Sequence, residues 1–174
     1  MHPGKTLAAM LLLAPALLQA APADDFRPSG PVTLTADRGE WTQGGQMRYQ
    51  GNVALASDTL TIRGQTMQVT QLAGGQFTAL ISGDPAQLDH AAQPGAQGVA
   101  AQSVSARAQQ IEYDSRNGVV ELKQQAQLTR GGDEVSGNAI SYAVAERRVR
   151  ASGGDGGQVR IVIQPPAPKA KDAP

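Results

Sequence analysis

The stretch YQGNVALASDTLTIRGQTMQV, residues 49–69, decides the fold, because its apolar spacing returns in LKQQAQLTRGGDEVSGNAISY, residues 122–142. A shift of 73 positions superimposes the two stretches. The aligned pairs are Leu55 with Leu128, Ile62 with Val135, Gly64 with Gly137, and Met67 with Ile140. Both copies alternate apolar and polar residues, which is typical of half-buried β-strands. The repeat predicts two similar sets of strands with a continuous apolar lining. Chance similarity of two amphipathic segments is the alternative.

Alternating runs also lie outside the repeat, and turn-forming residues separate them. VTLTA (residues 32–36) and VRIVIQ (residues 159–164) each place three apolar side chains on one face. Glycine pairs punctuate the chain, and Asn117-Gly118 is the clearest hairpin signal. Runs of about five residues, with a turn every 8–12 residues, predict an all-β fold with scarcely any helix.

The N-terminus has the layout of a secretory signal peptide. Lys5 precedes the apolar run Leu7–Leu18, and small residues follow. The run has 12 residues, whereas a membrane-spanning helix needs about 20. We expect cleavage after Ala20 or Ala23, so that the mature protein is exported. An uncleaved membrane anchor is the alternative.

The chain is therefore predicted to have three parts. Residues 1–23 form the signal peptide. Residues 24–164 carry the alternating runs and form one domain, in which the low-complexity residues 91–102 are a long loop. Residues 165–174 are rich in proline, alanine and lysine and are predicted to be disordered.

Charge and reactive residues exclude several functions. The full chain has 15 basic and 15 acidic side chains, and loss of Lys5 leaves one acidic group in excess, which argues against a nucleic-acid partner. The chain has no cysteine, and His90 is the one histidine of the mature region. We therefore predict no metal site, no cofactor and no enzymatic activity.

Aromatic residues make up only 3% of the chain. Because aromatic side chains usually dominate core burial, the interior either packs small aliphatic side chains tightly or surrounds a guest. The sequence leaves both possibilities open.

Residues 31–164 resemble the OstA-like lipopolysaccharide-transport family. The segments that carry the resemblance are ADR (36–38), GNVAL with L-x-I-x-G-x-x-M-x-V (51–69), GDPAQL (83–88), SGNAISY (136–142), ERRVRA (146–151) and GQVRIVIQP (157–165). Their order and spacing are more specific than any one of them. The resemblance implies an open, V-shaped antiparallel β-roll of the jelly-roll type, built from two similar halves, whose glycines turn the chain at the same place in each strand pair.

The resemblance also implies a function. The apolar groove of the roll would carry the acyl chains of lipopolysaccharide (lipid A) across the periplasm while the sugars stay in water. Copies would join head to tail through their edge strands. The assembly would dock between an inner-membrane extractor complex and an outer-membrane translocon.

Specific residues follow from this interpretation. The predicted lipid-binding residues are Val32, Leu34, Trp41, Val53, Leu55, Leu60, Ile62, Met67, Leu88, Ile111, Leu122, Leu128, Val135, Ile140 and Tyr142. The predicted partner edge strands are residues 32–36 and 159–163, with Val32, Thr33, Leu34, Val159, Ile161 and Ile163 as contact positions. Edges that alternate and contain no proline are suited to strand addition.

Three alternatives remain at this stage. One is a membrane-anchored member of the same family. Another is a structural β-solenoid whose own side chains fill a closed core. The least favoured is an exported hydrolase that uses a pair of carboxylates.

The leader prediction is checked on the exported protein itself. N-terminal sequencing is expected to begin at Ala21 or Asp24, because the apolar run is too short to span a bilayer. A product that begins at Met1 and stays with the membrane fraction would identify an anchored form instead.

Overall fold

The computed structural model describes residues 31–43, 45–92, 102–144, 146 and 148–165. The predicted signal peptide, most of the 91–102 loop and nearly all of the 165–174 tail lie outside these residues. The described part forms a single antiparallel sheet of ten strands.

The strands are long in the middle of the chain and short at both ends. Their bounds are β1 Thr33–Thr35, β2 Arg38–Trp41, β3 Gln46–Ala56, β4 Leu60–Gln71, β5 Phe77–His90, β6 Val104–Asp114, β7 Val119–Arg130, β8 Asp133–Ala143, β9 Arg148–Ser152 and β10 Arg160–Val162. A single 3-10 turn, Ala73–Gly75, joins β4 to β5. The all-β prediction is confirmed.

The sheet follows the order of the chain. From β3 to β8, each strand pairs antiparallel with the strands that precede and follow it in the chain. At one edge, β1 and β2 pair with opposite ends of β3. At the other edge, β9 and β10 pair with opposite ends of β8. Within the described residues no ladder joins these two edges, so the sheet is open.

Each long strand changes register near its middle. The breaks fall at 50/53 in β3, 63/66 in β4, 82/86 in β5, 107/110 in β6 and 123/126 in β7. The ladder from β8 likewise passes from β10 to β9 between Ser136 and Ala139. Register breaks of this kind are β-bulges, which bend a strand. Because they line up across the sheet, they fold it along one line.

This line divides the sheet into two wings. The first wing contains β1, β10 and the strand segments paired with them, such as Leu60–Gly64 of β4. The second wing contains β2, β9 and segments such as Thr66–Gln71. Apolar residues from both wings form one core; Ile62 and Met67, for example, are 9% and 2% exposed.

The repeated glycine lies on the bend. A Cβ atom on Gly64 would lie 2.7 Å from Ile81 Cγ2 and 2.9 Å from the Ser82 carbonyl oxygen, and one on Gly137 would lie 2.8 Å from the Ser152 carbonyl oxygen. Contacts this close exclude a side chain. Gly64 and Gly137 therefore let a neighbouring strand approach at the bend, rather than forming a hairpin turn.

The strand lengths differ from the prediction of about five residues. The runs TLTIRG and TMQVT, for example, are one continuous strand, β4. Leu60 and Ile62 occupy even positions and Met67 and Val69 odd ones, because the bulge between them changes which positions face inward. The resemblance implies a turn of the chain at the repeated glycine, whereas the chain bends within a strand.

The bend in β3 and β7 uses left-handed backbone. Gly51 and Asn52 have φ of 75° and 46°, and their repeat equivalents, Gln124 and Gln125, have φ of 64° and 54°. Asn52 Nδ2 donates a hydrogen bond of 3.0 Å to Asp37 Oδ2. This bond ties β3 to the segment between β1 and β2. Glutamine disfavours this conformation, by about 1–2 kcal/mol per residue, so β7 stores strain that β3 avoids.

Gln124→Gly is expected to raise the free energy of unfolding by about 0.5–1 kcal/mol, since relief of left-handed strain exceeds the added entropy of the unfolded chain. Gln127→Gly, on the same strand in extended backbone, is the matched control and should lower it by about the same amount. Urea denaturation measures both. Changes of the same sign would contradict the assignment of strain to position 124.

Candidate functional site: an apolar groove between the wings

An apolar cavity of about 580 Å³ lies between the two wings. Leu55, Ile62 and Leu88 line it from the first wing, and Met67 and Ile81 from the second. The other lining residues are Val32, Met47, Leu60, Val69, Gln71, Leu72, Gly75, Gln76, Phe77, Ala79, Ile111, Tyr113 and Val120. The strands that contribute are therefore β3 to β7 together with the residue before β1.

The lining contains no charged side chain. Its polar members, Gln71, Gln76 and Tyr113, lie at one end, near the β4–β5 turn. There the rings of Phe77 and Tyr113 pack with centroids 5.7 Å apart. Such a surface can hold hydrocarbon, because each Å² of apolar area removed from water contributes about 25 cal/mol.

Seven of the fifteen predicted lipid-binding residues line this cavity. They are Val32, Leu55, Leu60, Ile62, Met67, Leu88 and Ile111. Val53 is 2% exposed and packs at the bend, and Leu34 and Val135 are partly buried against the core.

Four predicted residues lie in the interior outside this cavity. Leu122, Leu128, Ile140 and Tyr142 are at most 3% exposed and do not line it. They belong to the C-terminal repeat, residues 122–142, where Leu122 and Ile140 border a separate, smaller cavity of about 240 Å³.

A cation–π contact spans the wings in this region. Arg130, in the first wing, holds its guanidinium carbon 5.9 Å from the centroid of the Tyr142 ring, in the second wing. The register row of Arg130 includes Leu60, His90 and Val104, all less than 10% exposed, so Arg130 faces inward. A cation over an aromatic face is attracted by the ring quadrupole.

Trp41 differs from its predicted role. Its register partner Met47 lines the cavity, yet Trp41 is 74% exposed and does not line it. The reason is position: β2 is an edge segment of four residues, all of them exposed. The register places Trp41 in an inward-facing row, but at the sheet edge its side chain stays exposed.

Several lining residues were missed by sequence reasoning. Met47, Val69 and Ala79 share one register row and face the cavity. The alternation of Met67 with Val69 could have identified Val69. Phe77 and Leu72 lie beside the β4–β5 turn, where no periodicity marks a lining residue.

The ion pairs of the described residues lie on the outer face and in turns. Lys123 Nζ is 2.9 Å from Glu112 Oε2 and 3.0 Å from Glu121 Oε2. The hydrogen bond to Glu112, and to a smaller extent that to Glu121, raises the pKa of Lys123. A hydrogen bond from Arg116 holds the pKa of Asp114 below its usual range. Exposed pairs of this kind contribute little stability. None of these charged side chains lines the cavity.

The two sheet edges are exposed and partly apolar. Ile161 in β10 is 60% exposed, and the neighbouring Ile163 is 71% exposed. The opposite edge carries Val32, 46% exposed, just before β1. The predicted edge strands are therefore edge strands in the structure.

The described ranges contain neither a metal-binding cluster nor a membrane-spanning helix. There, no three His, Cys, Asp or Glu side chains are grouped so that they could hold a metal ion. Nor does any helix in these ranges have the length and hydropathy needed to cross a membrane.

The fold and interior define the class of protein: an open β-roll with an uncharged apolar groove. The chain belongs to the family described as "LptA/(LptD N-terminal domain) LPS transport protein", whose sequence model matches residues 33–148. This is a transport family, and the protein is not an enzyme.

Relatives in two bacteria support this membership. The lipopolysaccharide export system protein LptA of Escherichia coli strain K12 is 28% identical over 162 residues, covering 89% of this chain and 84% of that protein. LptA of Shigella flexneri matches with the same values.

A solved structure shows the same fold. LptH of Pseudomonas aeruginosa, described as the LptA-homologous periplasmic component of the lipopolysaccharide transport device, superposes with a TM-score of 0.66. Its sequence identity is 24%, and the match covers 78% of this chain and 96% of that one. The predicted open β-roll is confirmed.

The burial of Ile140, which is 1% exposed, leads to a stability prediction. Ile140→Asp should lower the free energy of unfolding by about 3–5 kcal/mol, because an unpaired charge would replace a fully buried side chain. Ile140→Val, the matched control, should cost about 0.5–1.5 kcal/mol. Thermal and urea denaturation measure both; a normally stable Ile140→Asp protein would show that this region is accessible to water.

Proposed function

We propose that this protein carries lipopolysaccharide by holding acyl chains in the cavity between its wings while the sugars remain in water. The observation that carries the proposal is the uncharged cavity of about 580 Å³. The family is one of lipopolysaccharide transport proteins, and acyl chains are the part of that molecule that an apolar groove would shield.

The cavity volume limits what it holds at one time. A liquid water molecule occupies about 30 Å³, and a methylene group is similar in size, so 580 Å³ has room for about 19 such groups. This corresponds to one or two acyl chains. Burial of each methylene contributes about 0.8 kcal/mol, which is sufficient to hold a chain without any polar contact.

The proposed place of action is the periplasm. The signal-peptide pattern of residues 1–23 supports export. The structurally similar LptH is described as a periplasmic component. A stable fold without cysteine is compatible with this compartment, since packing and ladder hydrogen bonds hold the sheet.

The proposed assembly is head to tail. The β1/β2 edge of one copy would pair with the β9/β10 edge of the next, and the end copies would dock on an inner-membrane extractor complex and an outer-membrane translocon. Two observations support this arrangement: both edges lack a ladder partner within the described residues, and Ile161 and Val32 expose apolar surface there.

The closed-core alternative has one observation in its favour, which is the burial of Leu122, Leu128, Ile140 and Tyr142 outside the cavity of about 580 Å³. The N-terminal cavity favours a carrier. The two functions differ in whether lipid reaches Leu55.

Photocrosslinking of the mature protein to lipopolysaccharide tests the carrier directly. A photoreactive residue at Leu55, which lines the cavity, should crosslink, whereas one at Ala54, which alternates with it and pairs with the exposed Arg63, should not. Leu55→Asp should abolish loading, since it places a charge among the acyl chains. Absence of crosslinking at position 55 in folded protein would contradict the carrier function and favour the closed core.

Association is tested separately at the β10 edge. Ile161→Asp should weaken self-association about tenfold or more, because a charge would be buried against the next copy. The control is Gln87→Asp, on the central strand β5 and paired with Arg107. Analytical ultracentrifugation over a concentration series measures both. Equal association of the two variants would show that β10 is not the contact.

A further inference from the structure

The two repeats share a backbone but differ in what their interiors contain. The bulge at 50/53 in β3 recurs at 123/126 in β7, 73 residues later. Yet the cavity of about 580 Å³ lies beside the N-terminal repeat, and no residue of 122–142 lines it. Because the two backbones bend alike, the side chains at equivalent positions are the place to look for the difference.

Among the inward-facing positions, two gain the most side-chain volume from the N-terminal to the C-terminal repeat. Arg130 and Tyr142, the pair that spans the wings, correspond to Ser57 and Val69 in the N-terminal repeat. Val69 lines the cavity. Ser57 Oγ accepts a hydrogen bond of 3.0 Å from the Leu60 amide, so its side chain serves the local turn and does not reach across.

The cavity ends where Tyr142 begins. β7 contributes Val120 to its lining, and β6 contributes Ile111 and Tyr113. Val120 is the register partner of Tyr142, and Ile111 is the partner of Leu122, which in turn pairs with Ile140. Tyr142 and Leu122 are 1% and 0% exposed. The Tyr142 ring, covered by Arg130 from the opposite wing, is thus the next inward side chain beyond the cavity.

We propose that Arg130 and Tyr142 form a strap that sets which part of the groove admits acyl chains. The strap holds the wings together over the C-terminal repeat and leaves the N-terminal repeat as the loading chamber. The pair acts as a specificity determinant: it fixes the number of methylene groups that one copy accepts. Passage of a chain along the whole groove requires the strap to open. This inference rests on the proposed carrier function.

The half-buried position of Arg130 suits such a role. Its guanidinium lies at the end of β7, and among the described residues no carboxylate lies within ion-pair distance of it. A long side chain can pack its stem on apolar surface while its head reaches solvent. Arg130 can therefore leave the Tyr142 ring without breaking an ion pair in the described part of the chain.

Reciprocal exchange of the equivalent residues tests the strap. Arg130→Ser combined with Tyr142→Val gives the C-terminal repeat the side chains of the chamber. Ser57→Arg combined with Val69→Tyr does the reverse. Each mature protein is loaded with a diazirine-bearing fatty acid, illuminated and digested, and the labelled peptides are identified by mass spectrometry. Circular dichroism and thermal melting confirm that each protein is folded.

The expected labelling separates the two repeats. In the unaltered protein, label should fall on β3 to β5 and remain at background on residues 122–142, which do not line the cavity. The Arg130→Ser/Tyr142→Val protein should label residues 122–142 to a level comparable with β4. The Ser57→Arg/Val69→Tyr protein should lose most of its label on β3 to β5. If the first double variant does not fold, Arg130→Ser alone, together with the reciprocal variant, decides the matter.

Two failures are distinguishable. Equal labelling of both repeats in the unaltered protein, or unchanged labelling in the folded double variants, would overturn the strap and leave the carrier intact. Absence of label from β3 to β5 in the unaltered protein would overturn the carrier function itself. Label confined to residues 122–142 would overturn both.

Discussion

The row of mid-strand bulges is the constraint on which the rest of the structure depends. Without it, a chain-order antiparallel sheet would be a twisted ribbon with one apolar face open to water. Because every long strand changes register at the same level, the ribbon folds on itself and its apolar face becomes an interior. The backbone at Gly64 and Gly137 has to be bare for the strands to meet there.

Much of this could be predicted from the sequence. Alternation identified the strands, and the 73-residue repeat identified positions that are equivalent in space: Gly51-Asn52 and Gln124-Gln125 share left-handed backbone. The edge strands followed from alternation at the two ends. Bends were harder to predict, because a bulge and a turn both interrupt a period of two. The glycine at 64 therefore suggested a turn, although β4 continues through it.

The site was predicted less completely than the fold, for a physical reason. Periodicity tells which side chains face inward, but a cavity forms only where the inward side chains of facing wings fail to meet. Leu55 and Leu128 are equivalent in pattern, yet Leu55 lines the cavity and Leu128 does not. Exposure at an edge is similarly invisible in the pattern, as Trp41 shows. The difference between the repeats lies in side-chain volume across the groove, which one strand's sequence does not contain.

The strict chain order of the sheet has a consequence for how the protein folds. Each of the strands β3 to β8 pairs with the strand just before it and the strand just after it, so no pairing waits for a distant segment. Sequence-local topologies fold faster than β-proteins built from distant pairings, and arrays with nearest-neighbour contacts can grow from any nucleus. A chain that emerges from its N-terminus can add one strand at a time to a sheet already formed. The strands can therefore pair in the order of the chain, from the N-terminus onward.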